Sequence, residues 1–221
     1  MSPTKAIIQT SELGFNKPIV FICKRPAISA TVSAVVSYHP GTNITTGYIL
    51  SGDGLPSVIP ALDAFPAQFA AYSHPILVFV LILEILVENI SSNLNSVEQN
   101  LRAIESSTGY SNHKILEPVD PSELNYRTLA QDLGVQTCRF ALIRSLIQNA
   151  TMLREFIEEQ LASSCYLAEP SVKEWKPVSE RLIERTRITA STLKHLEIYG
   201  AVEGRLQAQQ NVVSKTTNNF E

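Results

Sequence analysis

Residues 76–105, ILVFVLILEILVENISSNLNSVEQNLRAIE, decide the fold. The opening run, Ile76 to Val87, is apolar except for Glu84. Leu83, Val87, Ile90, Leu94, Val97, Leu101 and Ile104 then recur at spacings of four and three, with Asn93, Asn95, Glu98, Gln99 and Arg102 on the other faces. This is a heptad seam, the pattern of a helix that buries one stripe against other helices. Ser73 or His74 supplies a cap, and Pro75 suits a first turn whose N–H groups lack partners. Gly109 offers a left-handed stop. The pattern predicts one helix from Pro75 to about Ser107, roughly 50 Å long at 1.5 Å per residue.

A helix this apolar raises the question of a membrane. A spanning helix needs about 20 consecutive apolar residues, and a run of about 10–14 is more often a core helix. Glu84 interrupts the run, and Glu88 and Asn89 close it. A carboxylate near a bilayer centre costs at least ~2.5 kcal/mol. The expectation is a core helix in a cytoplasmic protein that meets a membrane only peripherally.

Towards the C-terminus two more helical patterns follow. Asp120-Pro121-Ser122-Glu123 reads as a helix start, and Leu129, Leu133, Phe140, Ile143, Ile147, Leu153, Ile157 and Leu161 supply its apolar stripe. Glu169-Pro170 and Lys176-Pro177 punctuate the next connection. The third pattern runs from Val178 to about Val213 through Leu182, Ile183, Ile188, Leu193, Leu196, Tyr199, Val202 and Leu206. Gly200 and Gly204 lower its helix propensity by roughly 1 kcal/mol each. The stripe Leu196, Tyr199, Val202, Leu206 and Val213 is therefore expected to be an exposed docking patch.

Towards the N-terminus the texture changes. Ala6–Thr10, Pro18–Cys23, Ile28–Tyr38 and Gly47–Leu50 are short β-favouring segments broken by Gly and Pro. Ser51-Gly52-Asp53-Gly54 reads as a tight turn. The fold class expected is α+β, a small N-terminal sheet followed by three long amphipathic helices forming a bundle. The expected division is a strand-rich part at 1–72, the bundle at 73–213 and a polar tail at 214–221.

Composition agrees with a globular chain: 221 residues, 44% hydrophobic and 18% charged. A net charge of −3 with scattered basic residues gives no polyanion-binding face. Cys23, Cys138 and Cys165 form no Cys-x-x-Cys pair, which leaves zinc ribbons and disulfide frameworks unsupported.

Chemistry is sparse. His39, His74, His113 and His195 lie in four separate segments without the i, i+4 partner of a helical metal site, and read as surface or capping residues. There is no nucleophile elbow, phosphate loop or dinucleotide fingerprint. The one carboxylate pattern to weigh as a metal site is Glu84 with Glu88, one helical turn apart. Bundle metal sites add a Glu-x-x-His from another helix, which this sequence lacks. An ion pair between Glu84 and a base such as Arg139 or Arg144 is the competing reading.

Two stretches, His74-Pro75 with residues 76–105 and LKHLEIYGAVEGRLQAQQNVV at 193–213, resemble the cytosolic part of fungal CorA-like cation-transporter proteins. The resemblance implies a cytosolic α/β domain, a long stalk helix leading to two C-terminal spans, and a Gly-Met-Asn motif at the end of the first span. It also implies magnesium or another divalent cation as the family's cargo. No Gly-Met-Asn occurs in this sequence, which ends in SKTTNNFE, so neither transport nor a pore residue carries over. The expectation is a non-catalytic regulatory or interaction domain, truncated, divergent or free-standing. It would self-associate or dock on a full-length relative through its C-terminal helix. The alternatives are an unrelated helical scaffold and an enzyme with an apolar pocket.

Overall fold

A computed structural model describes residues 19–23, 32–39, 42, 44–51, 63, 65–69, 74–111, 119–120, 124–162, 175–197 and 200–218. The segment Ala6–Thr10 and the turn at Gly52-Asp53-Gly54 lie outside the described residues. Strands β1 (Ile19–Cys23), β2 (Val32–His39) and β3 (Ile44–Ser51) form an antiparallel sheet in the order β1-β2-β3. The fold is α+β, and its strands precede its long helices as expected.

Alternation along β2 sets the two faces of the sheet. Ala34, Val36 and Tyr38 are buried, whereas Val35 points outward opposite Tyr48. Gly47 faces Val36 across the ladder, and a Cβ there would lie 2.9 Å from the carbonyl oxygen of Val35. Only glycine permits that approach of two backbones.

The helices are α1 (Leu77–Thr108), α2 (Tyr126–Ala162), α3 (Trp175–Glu197) and α4 (Gly200–Asn218). Both ends of α1 fall where the sequence places them. The His74 ring nitrogen Nδ1 accepts from the Ile76 N–H at 3.2 Å, and Gly109 stands at φ 66° beyond the last turn. Three boundaries differ from expectation. α2 begins at Tyr126 rather than after Asp120, because Asn125 caps it: Asn125 Oδ1 accepts from the Thr128 N–H at 3.2 Å. α3 begins at Trp175 and holds Pro177 in its first turn, where a missing N–H costs nothing. The expected third helix is described as α3 up to Glu197 and α4 from Gly200, and α4 runs into the supposed tail as far as Asn218.

The chain divides into two compact units, Met1–Val87 with Asn149–Thr192, and Glu88–Gln148 with Leu193–Glu221. In the first, α1 is buried without interruption from Leu77 to Leu83, as a helix apolar on every side requires. Phe79 meets Phe156 of α2 edge to face, ring centroids 5.6 Å apart, and Leu153, Ile157 and Leu182 complete that core. In the second unit α1 is covered along one stripe, the seam Ile90, Leu94, Val97, Leu101 and Ile104 with Glu105 and Thr108 at its end. Leu129, Leu133, Phe140, Ile143 and Leu146 of α2 are buried there, with Val202, Leu206 and Val213 of α4. By length and composition α1 could cross a membrane, and 67% of its most apolar window is buried inside the protein.

Candidate functional site

Among the described residues, the helices bring charged groups together around Glu84 in the first unit and, in the second, around Glu105 and between Arg144 and Glu203. In the first unit, the guanidinium of Arg185 on α3 grips Glu84 on α1 with both prongs. Its Nε donates to Oε1, and its Nη2 donates to Oε2 at 2.7 Å. The remaining Nη1 donates to Gln68 Oε1 at 3.0 Å. Parallel N–H bonds of this kind match the carboxylate's own geometry. The partner is therefore Arg185, not Arg139 or Arg144: heptad periodicity tells which side of α1 carries Glu84, but not which helix lies against it. Arg144 instead donates to Glu203 of α4 at 2.8 Å in the second unit.

This arrangement bears on the metal reading of Glu84 and Glu88. Both Glu84 oxygens accept from Arg185, and Glu88 is exposed one turn on. Magnesium asks for a near-octahedral set of oxygens with a carboxylate able to face it. A carboxylate already chelated by a guanidinium does not fit that role. Among the described residues no group of three His, Cys, Asp or Glu side chains could hold a metal ion.

His74 sits at the start of α1 in the same unit and is buried. Since Nδ1 accepts the Ile76 N–H, the proton of the neutral ring belongs on Nε2, which lies 3.4 Å from the Ser179 hydroxyl of α3. Burial pushes the His74 pKa down to about 4. It is a capping histidine, as expected, but a core residue rather than a surface one. His195 is exposed, His39 is half-buried, and His113 lies outside the described residues.

The second unit holds the denser cluster, and sequence reasoning missed it. Arg205 of α4 donates from Nε and Nη2 to the two oxygens of Glu105 on α1, each at 2.8 Å. Its Nη1 lies 3.7 Å from Glu98, which in turn accepts from Arg102 at 2.6 Å. The pair is deeply placed, with side chains 9% and 7% exposed. The hydrogen bond to Glu105 raises the Arg205 pKa; burial opposes this, and the charges of Glu105 and Glu98 add to it. One turn further along α4, Gln209 accepts from the Thr108 hydroxyl at 2.9 Å and donates to the Tyr110 carbonyl at 2.6 Å, which closes the C-terminal end of α1.

A signal for this cluster was present. Glu84, Glu98 and Glu105 all fall on the heptad position just after a seam residue, following Leu83, Val97 and Ile104. A carboxylate there borders the buried stripe and needs a base on the facing helix. The expected exposed patch on α4 is overturned: Leu196, Val202, Leu206 and Val213 are all buried, and Tyr199 lies outside the described residues. Gly204 does not thin the contact, because it lies on the outer side of α4.

Chemically, both clusters are neutralised ion pairs that hold helices in place. No protein-family model matches the chain, and no curated protein matches it.

Proposed function

We propose that the chain is a non-catalytic regulatory or interaction module of CorA-like descent, acting in the cytoplasm by docking on a full-length relative or on a second copy of itself. The observation that carries this reading is the outer face of the sheet. Val35 stands opposite Tyr48 and His39 opposite Ile44, so Val35, Ile44 and Tyr48 share one side, and Tyr48 is 79% exposed. Grouped apolar side chains open to water mark partner surfaces, and tyrosine is favoured in them. Descent rests on the resemblance of residues 74–105 and 193–213.

The C-terminal helix takes part through its outer side, where Gln207 and Asn211 are exposed, because its apolar side is already covered. Sedimentation of the whole chain over a range of concentrations tests the reading. A species heavier than the monomer, lost on Tyr48→Ser, is the expected outcome. A chain that stays monomeric throughout and fails to bind a purified CorA-like relative would overturn it. So would a metabolite that strongly raises the melting temperature and is turned over.

A further inference from the structure

Among the described side chains of α4, the buried ones are Val202, Arg205, Leu206, Gln209 and Val213. Val202, Leu206, Gln209 and Val213 follow one another at spacings of four, three and four, which is a heptad seam with an amide in it. The α1 seam of the same unit, Ile90 to Ile104, is apolar at every position. A polar residue in a seam fixes register at a cost in stability. Arg205, on the border of the α4 seam, adds a buried ion pair, whose attraction is largely offset by the water it gives up.

These two features give α4 an unusual hold on its unit. Its position is specified tightly, by Arg205 on Glu105, Gln209 on Thr108 and Tyr110, Glu203 on Arg144 and Gln210 on Thr137. Its apolar hold is modest: among its described side chains three aliphatics, Val202, Leu206 and Val213, are buried, and Ala208 and Val212 are half-buried. Removing one partner of a buried pair strands a charge, but when the whole helix leaves, Arg205, Glu105, Gln209 and Thr108 all return to water together. Departure as a body is therefore the cheap route, and loss of any single contact is the costly one.

We propose that α4 is a releasable strap: it undocks as a unit from α1 and α2 while α1, α2 and α3 stay folded, and redocks in a single register set by Arg205 and Gln209. Release uncovers an acidic strip of α1 with Glu98 and Glu105 beside the buried seam. Native-state hydrogen exchange on the full chain in low urea tests this. The amides from Val202 to Val213 should share one opening, with protection on the order of a hundredfold below that of the α1 seam. Leu206→Ala should raise that opening on the order of tenfold while protection in α1 and α3 stays unchanged. Exchange of α4 at the same level as α1 in the parent chain would overturn the proposal, whether or not the variant folds. An equal loss of protection in α1 and α3 on Leu206→Ala would overturn it too.

Discussion

The two compact units use the same helix α1 in opposite ways. In the first, α1 is covered on every side from Leu77 to Leu83, and its charged pair, Arg185 with Glu84, stays at the rim with side chains 25% and 28% exposed. In the second, α1 is covered along one stripe, and its charged pair, Arg205 with Glu105, is drawn inside. Apolar area supplies most of the driving force for packing but says little about register. Where that area is ample, a charge pair can remain half-hydrated and contribute modestly. Where it is thin, buried polar groups take over the choice of register, and the helix they place is held more by fit than by affinity.

The largest test of this contrast is to remove the arginine from each pair. Arg205→Met leaves Glu105 buried without its partner and should cost about 3–5 kcal/mol of α4 docking. Arg185→Met leaves a carboxylate that water already reaches, and should cost about 1 kcal/mol or less. Adding Glu105→Leu to Arg205→Met should restore most of the loss, since a matched apolar pair removes the stranded charge. Urea midpoints read by circular dichroism, with amide exchange in α4, measure all three. Equal losses at the two arginines would break the contrast.

The next effect belongs to the first unit alone. The His74 pKa stands at about 4 because burial disfavours the charged ring, against about 6.5 in an unfolded chain. A depressed folded value means that the neutral histidine's contribution is complete above about pH 6.5 and is lost as pH falls towards 4, up to ~3 kcal/mol in all. His74→Asn keeps a side-chain acceptor for the Ile76 N–H without the titration. Between pH 6.5 and 5, where most carboxylates remain charged, the parent should lose stability that the variant does not. Parallel pH profiles for the two proteins would show that His74 is not the group responsible.

How much of this was legible depended on whether a residue's meaning was local. The cap at His74 and the stop at Gly109 are written within a few residues of the helix ends, and both were readable. The start of α2 was not, because Asp120 and Asn125 are both good caps and only the folded chain selects between them. The clusters were half legible. Heptad position marks Glu84, Glu98 and Glu105 as border residues, but their partners Arg185 and Arg205 lie about a hundred residues away along the chain. The partner helix follows from packing, which no local pattern in this sequence encodes.

The smallest effect is the most selective. Gly134 and Gly204 sit inside α2 and α4, both in the second unit, and a Cβ at either would meet nothing within 4 Å. Neither is needed for close approach or for a left-handed turn, so each only adds freedom to the unfolded chain and lowers helix propensity. Gly→Ala at such a site should stabilise by about 0.5–1 kcal/mol. The two substitutions should differ in where that gain appears. Gly134→Ala acts on a helix that runs through both units, and should raise the urea midpoint of the whole chain. Gly204→Ala acts on α4, but helix formation in a strap that remains helical after release would be favoured in the undocked state as well. It should then leave the α4 opening seen by hydrogen exchange nearly unchanged. If the released strap unfolds, the same substitution should lower that opening by about two- to fivefold. A rise in protection throughout α1 and α3 on Gly204→Ala, equal to that in α4, would mean that α4 opens only with the rest, and the difference between the two units would then be one of composition and not of stability.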